Sequence, residues 1–445
     1  MTARIIDSFP QTAELPVGVT RLGLKAKIFS GGTPDKSNER FWSGDLPWLG
    51  SGEVNQRHIV EPTSYISKEA VQNSSTKLFP CGAVAMALAG QGKTKGMVAT
   101  LGIDAYGNQS LACINEYDGN SRFLYWWLLS LYREIRGLSS QDTRDGLNQA
   151  MLGQLPVPLF DLTTQRQIAD FLDRETARID LLIEKKQRLV ALLGEKLKDD
   201  ILRAVTMGID PEAELVPEDE LEWTSHRPRH WKVFRLKHFF RENTQYTGDG
   251  QETLFSLRMK EGLIPHNDVS DKEIPPNDLI NYKKVFPGQI VMNRMRAAIG
   301  LFGLADCAGI VSPDYSIFDV NPKAHAAYFL RLFKTEPMMA AFRLLSKGLG
   351  TGHSGFMRLN ADNFGRIRVA APEYDEQRLI SEYIEERIQQ ITHLQTKNDQ
   401  SINRLKEYRS ALITDAVTGQ IDVASHSRSG VSERRLDKLQ EEMDA

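Results

Sequence analysis

Cysteine is scarce: the 445 residues hold three, Cys81, Cys113 and Cys307, widely spaced and odd in number. That count excludes a disulfide framework and a paired-cysteine zinc site, and a reducing, cytoplasmic compartment is expected. Long apolar runs are missing too. The longest, Ala83 to Ala89 and Leu124 to Leu129, fall far short of the roughly 20 residues that cross a bilayer, so no membrane partner is expected. Met1 to Pro10 place Arg4 and Asp7 where a signal peptide would be apolar, which argues against secretion by that route. Glycine (33) and proline (19) are near ordinary usage, so collagen-like and low-complexity chains are excluded. What remains is globular, and the length is enough for two or three cores.

The net charge of −3 conceals an uneven distribution. Residues 223–372 carry 21 Lys and Arg against 13 Asp and Glu, a surplus of 8 positive charges, whereas residues 1–160 carry 15 against 14. The acid sits in Glu212, Glu214, Glu218, Asp219, Glu220 and Glu222, and in the last 73 residues, where 10 bases meet 15 acids. An average over several domains therefore does not argue against nucleic acid.

The chain repeats itself. Gln165-Arg166 matches Gln377-Arg378, and Ala204-Val205-Thr206 with Ile209-Asp210 matches Ala416-Val417-Thr418 with Ile421-Asp422, always at an offset of 212. The same offset pairs Ile168 with Ile380, Leu172 with Ile384, Ile179 with Ile391, Leu182 with Leu394 and Leu193 with Leu405. An ungapped match over 46 residues indicates duplication. It extends weakly upstream: Leu147-Asn148 aligns with Leu359-Asn360, and Val19 to Leu22 with Val233 to Leu236.

Within each copy the apolar residues recur at three and four, with charges between, which predicts a long amphipathic helix. At about 1.5 Å per residue, 165–205 would run about 60 Å, longer than one small domain can cover. Packing against a globular core is the plain alternative. Two narrow stripes are better satisfied by each other, as an antiparallel coiled coil seamed by Ile168, Leu172, Ile179, Leu182 and Leu193 against Ile380, Ile384, Ile391, Leu394 and Leu405. The expected fold is α/β (α+β), with two mixed α/β domains of short strands joined by two long helices in a pseudo-twofold repeat. The boundaries are 1–160 for the first domain, 161–210 for the central helix, 211–234 for an acidic linker, 235–372 for the second domain, 373–422 for the second helix and 423–445 for a disordered tail.

Catalytic motifs are incomplete. Ala89-Gly90-Gln91-Gly92-Lys93-Thr94 resembles the end of a phosphate-binding loop, but Ala87 occupies the first glycine position and no long helix is expected after it. The loop is either a plain surface turn or a basic tip, Lys93 and Lys95, set against DNA phosphates. Ser312-Pro313-Asp314-Tyr315 lacks the first polar residue and second proline of an amino-methyltransferase floor. Pro34-Asp35 has no acidic-x-lysine partner for Mg²⁺, and the nine histidines show no ligand spacing. No catalytic residue and no metal ligand is assigned.

For reading bases, arginine contacts guanine through a bidentate fork, and asparagine or glutamine does the same for adenine. Loops carrying these types give the DNA-binding candidates: Lys93, Lys95, Arg144, Arg258, Lys260, Asn293, Arg294, Arg296, and, in the glycine-rich segment 347–355, Lys347 and His353. Each has a plain alternative as a solvated or structural side chain.

The whole resembles the specificity subunit of type I restriction-modification systems. The resemblance is carried by Gly44-Asp45-Leu46-Pro47-Trp48-Leu49-Gly50-Ser51-Gly52-Glu53-Val54-Asn55, by the Gln-Arg-x-Ile openings at Gln165 and Gln377, by the Ala-Val-Thr and Ile-Asp endings, and by His230-Trp231-Lys232. The second domain lacks the Gly-Asp-Leu-Pro-Trp segment. The resemblance implies two target-recognition domains, each reading half of a bipartite double-stranded DNA site in the major groove, and a non-catalytic chain that binds no cofactor. Its partners would be two methyltransferase subunits that bind S-adenosylmethionine, joined by restriction/translocase subunits that use ATP and Mg²⁺. A coiled-coil adaptor and a P-loop-like nucleotide-binding enzyme are the competing classes.

If the helices space the two domains, lengthening both must change the distance between half-sites. A seven-residue insertion within Lys185 to Leu197, matched between Lys397 and Arg409, keeps the apolar seam and adds about 10 Å, roughly three base pairs. Methylation mapping should then show unchanged half-sites with a longer spacer, or lost activity. Full methylation at the original spacing would refute the ruler.

Overall fold

The computed structural model describes residues 9–90, 92–138, 146–221, 223–271, 274–349 and 356–423. The chain forms two compact units, residues 1–187 with 397–445, and residues 188–396. In the first, Val19–Arg21 pairs antiparallel with Pro156–Pro158, a two-stranded ribbon in which the missing proline donors break no inner ladder. The main sheet has the order Lys27–Ser30, Leu111–Asn115, Val84–Ala87, Val98–Leu101, His58–Ile59. Val84–Ala87 is buried throughout, because both faces of this inner strand are covered. Val84 and Met86 face the core that contains Trp127 and Leu152. Ala85 and Ala87 face Leu49, Val54 and Phe79.

The second unit repeats the first four strands of this topology and, among the described residues, lacks the fifth. Lys232–Arg235 pairs antiparallel with Arg368–Ala371, and its sheet has the order Phe240–Glu242, Tyr315–Val320, Ile290–Asn293, Phe302–Leu304. Ile290–Asn293 alternates as its counterpart does: Ile290 and Met292 join one core and Val291 another. The filling differs. Phe240, Phe302, Phe333, Phe342 and Phe364 pack here in tilted and edge-to-face pairs with centroids 4.9–6.1 Å apart, where the first unit relies on Trp126 and Trp127. Cores tolerate such exchange if volume and pattern are kept, which is why the duplication is faint upstream of the helices.

The glutamine that opens each long helix has the same task twice. Gln165 is buried; its Nε2 donates to the Phe160 carbonyl at 2.8 Å and its Oε1 accepts the Asn120 N–H at 2.8 Å. Gln377 is fully buried; its Nε2 donates to the Pro372 and Lys323 carbonyls and its Oε1 accepts the His325 N–H at 2.8 Å. Asn120 and His325 are the N-caps of the helices Ser121–Ser130 and Ala326–Phe333. One amide thus ties the start of a long helix to the first helix that packs on the sheet.

The long helices are Leu162–Met207 and Tyr374–Val417. Asp161 accepts the Thr164 N–H at the first start, a cap that removes one orphan donor, and Gly208 follows the first end at φ +80°, as a helix stop favours. Within the second unit they run antiparallel: Arg387 meets Asp200 at 2.9 Å and Gln395 Nε2 donates to the Val190 carbonyl, so one number rises as the other falls. In the first unit Ile168, Leu172 and Ile179 share one core with Leu405 and Ile413, and also with Trp127 and Val157. Helix-on-helix and helix-on-domain packing are therefore continuous, and the two alternatives are not exclusive. One seam position is corrected. Leu394 is 45% exposed while Ile380, Ile384 and Ile391 are buried; Gln395, one residue and about 100° further round, takes the inward place. Leu182 and Leu193 are half-buried.

Replacing Gln377 by leucine would leave the His325 N–H and two carbonyls buried without a partner. Chemical denaturation should show a loss of about 1–3 kcal/mol, and Gln165→Leu a loss of similar size. No loss in either would show that the amides do not hold the helices.

Candidate nucleic-acid interface

Four exposed basic positions survive the structure. In the second unit Phe255–Arg258 and Gly262–Pro265 form a hairpin with Arg258 opposite Gly262. Gly262 has φ +77°, which glycine adopts without strain, and it closes a tip on which Arg258 and Lys260 are exposed. The tip is seated by Leu257, whose Cδ1 lies where a Cβ on Gly303 would stand. Arg296 is exposed on the turn after Ile290–Asn293, and in the first unit Lys93 is exposed on the turn before Val98–Leu101.

Three other candidates, Asn293, Arg294 and Lys95, are buried or held by local hydrogen bonds. Asn293 is buried, and its Oδ1 accepts the N–H groups of Met295 and Arg296 at 3.0 and 3.2 Å. Its carbonyl oxygen caps the turn and does not face a base. Arg294 donates to the Asp314 and Pro313 carbonyls at 2.8 and 2.9 Å, so its fork staples a loop. Lys95 is buried, drawn in where the Gly96 N–H closes the turn on the Ala87 carbonyl. That turn leads into strand Val98–Leu101, not into a helix whose N-terminus could cradle phosphate. Lys347 lies in strand Lys347–Leu349; Arg144, His353 and the tail 424–445 lie outside the described residues.

Around Arg294 the structure gathers charges that sequence spacing did not. Lys283 is buried and donates to the Tyr315 carbonyl at 2.6 Å; burial first, and then the neighbouring Arg294, hold its ammonium below the ordinary lysine range. Arg358 reaches the Asp314 carboxylate at 3.1 Å and Arg294 reaches it at 3.6 Å. Residues 75 positions apart, 283 to 358, meet only through the fold.

The first unit holds a second cluster absent from the sequence reading. Arg57, at φ +63°, is a left-handed non-glycine residue, a conformation that costs energy and collects at functional or clamped sites. Its Nη1 meets Asp180 at 2.6 Å, and Arg409 Nε stands 3.1 Å from the same carboxylate but is not aligned for a hydrogen bond. Arg122 bridges Asp170 and Asp173 at 2.6 Å each. These arginines, with Tyr125 and Trp126, line a cleft of about 420 Å³. Nothing in the sequence marks Arg57, because a left-handed arginine has no residue signature. Among the described residues no three His, Cys, Asp or Glu side chains are grouped to hold a metal, and no helix is long and apolar enough to cross a membrane.

Comparison with known proteins follows the same lines. Residues 18–191 match the type I restriction modification DNA specificity domain. The chain is 24% identical over 176 residues to the Type I restriction enzyme EcoR124I/EcoR124II specificity subunit of Escherichia coli, covering 38% of this chain and 44% of that relative, so the match spans less than half of the relative's length. Among solved structures, a chain from the complex assembly and conformational transition of a type I R-M system superposes with a TM-score of 0.60 at 15% identity, over 91% of this chain and 99% of the other. The HsdS subunit from Thermoanaerobacter tengcongensis superposes with a TM-score of 0.50 at 17% identity, over 91% and 97%. These two likenesses show the fold.

Removing Asp180 would leave Arg409, 15% exposed, beside Arg57 with no counter-charge. Asp180→Ala should lower stability by about 2 kcal/mol, and adding Arg409→Met should recover most of that loss. Additive losses in denaturant titrations would show that the pair is not coupled.

Proposed function

We propose, from the match of residues 18–191 to the type I restriction modification DNA specificity domain, that the chain is the specificity subunit of a type I restriction-modification complex. Each unit reads one half of a bipartite duplex site. The chain does not itself catalyse; it directs adenine methylation and restriction by two methyltransferase subunits and by restriction/translocase subunits, in the cytoplasm. S-adenosylmethionine, ATP and Mg²⁺ act on those partners.

The observation that carries this reading is the duplication of a whole module, down to Gln165 and Gln377 making the same contacts at the same place. Two copies of one reader suit a split target, since each can be altered without the other. In the second unit Arg258 and Lys260 stand exposed on a hairpin tip. From there an arginine can fork to guanine while a lysine neutralises phosphate. A P-loop-like enzyme is disfavoured by the strand that follows Lys93, and a plain adaptor gives no use to the basic surplus of 223–372.

Purified chain with S-adenosylmethionine alone should transfer no methyl group. In the assembled complex, exchanging residues 235–372 for those of another such protein should change one half of the methylated site; a change in both halves would overturn the two-reader model. Arg258→Ala should cost about 1–3 kcal/mol and relax the base preference at one position. Lys260→Ala should weaken binding to all sequences alike.

A further inference from the structure

We propose that Asp314 holds the place of a DNA phosphate in a backbone clamp made by Lys283, Arg294 and Arg358 of the second unit. This rests on the DNA-binding reading above.

Two of the three cations are fixed in advance. Arg294 donates to the carbonyls of Pro313 and Asp314, and Lys283 donates to the next carbonyl, that of Tyr315. Three successive carbonyls are thus held by two cations. Carbonyl oxygens satisfy the donors but cancel no net charge, so both positive charges persist at the loop. Lys283 feels Arg294 as a repelling neighbour, and it feels Glu242 and Asp314 as attracting ones. Arg358 is the third cation. Against the three stand Asp314 and Glu242, and the cluster keeps one positive charge in excess.

The remaining contact is the exchangeable one. The ion pair of Arg358 with Asp314 is 39% and 41% exposed, and such pairs hold weakly in water. A phosphate entering beside Asp314 can take the Arg358 fork, for which two oxygens on one anion are the natural partner, while Lys283 and Arg294 stay where the carbonyls hold them. The position suits a duplex. Arg296, exposed, lies two residues beyond Arg294, and the Leu359 N–H donates to the Arg294 carbonyl, which ties the strand bearing Arg358 to the same turn. Asp314 would then weaken contact with DNA that does not repay the lost ion pair, and so act against non-specific binding. A free phosphate ion offers the same chemistry, but not the adjoining backbone charges that Arg296 could meet.

The test uses the full chain and a duplex lacking any target site, with affinity followed across salt concentrations. Arg358→Ala should lower the slope of log affinity against log salt by about 0.9, the share of one phosphate contact. Asp314→Asn keeps the backbone carbonyls that Arg294 uses and should raise non-specific affinity about two- to fivefold, the scale of one exposed ion pair. On the Arg358→Ala background that gain should shrink to what Arg294 and Lys283 alone return. Inorganic phosphate should compete no better than chloride at equal ionic strength. An unchanged slope in Arg358→Ala, a gain from Asp314→Asn that is undiminished without Arg358, or strong competition by inorganic phosphate would each overturn the clamp alone. A chain that binds no duplex would overturn the functional reading and the clamp with it.

Discussion

Where each long helix leaves its unit depends on one buried amide. A glutamine side chain carries two donors and an acceptor, and burying it unpaired would be costly. Gln165 and Gln377 meet that demand by accepting from the N-cap residue of the domain's first packed helix and donating to the carbonyl just before their own long helix. The cost of breaking either bond fixes where the long helix leaves the domain. A hydrophobic contact in the same place would tolerate sliding, because burial has no direction. Hydrogen bonds do have one, and the repeat keeps them while it exchanges tryptophan for phenylalanine in the cores behind.

The same distinction explains which basic residues are free to act. Arginine and lysine are often taken as surface charge, yet here Arg294 and Lys283 spend their donors on three consecutive carbonyls. Loops that connect strands leave such carbonyls without ladder partners, and a cation can satisfy them without using another backbone. The charge is then presented at a fixed place, with little side-chain entropy left to lose on binding. Arg258, Lys260 and Arg296, by contrast, are exposed on tight turns. A recognition surface assembled from both kinds has fixed charge for position and mobile forks for discrimination.

Much of this was legible in the sequence. The helices were, since their apolar period and the constant offset of 212 depend only on local residues, and so was the α/β character of the domains. The seam was read well where it meets a domain core, at Ile168, Leu172, Ile380 and Ile384, and missed at Leu394. A stripe of threes and fours leaves adjacent positions nearly equivalent, and Gln395 took the inward place. The candidate site was legible in kind but not in detail. Asn293, Arg294 and Lys95 have the residue types that read or neutralise DNA, but burial and local hydrogen bonds decide their use, and neither is encoded in spacing. Arg57, Asp180 and Arg409 went unseen because 352 positions separate the outer two, and because a left-handed φ leaves no mark on an arginine.

The Arg57 cluster adds a directional contact between the first domain and its long helix. Apolar packing resists separation but has no direction, so it resists sliding and tilting only weakly. Arg57 sits at the end of a short 3₁₀ turn, its carbonyl receiving the Thr100 N–H and its guanidinium reaching Asp180. Asp180 lies 15 residues along the helix from Gln165, about 22 Å at the α-helical rise. Two contacts that far apart resist tilting of the domain against the helix, the buried amide more strongly than the half-exposed ion pair. The left-handed backbone of Arg57 lies at the second contact, where strain of this kind tends to collect. The first domain thus meets its helix through a directional amide at one point and a charge at another, and its apolar core supplies the stability that lets both hold.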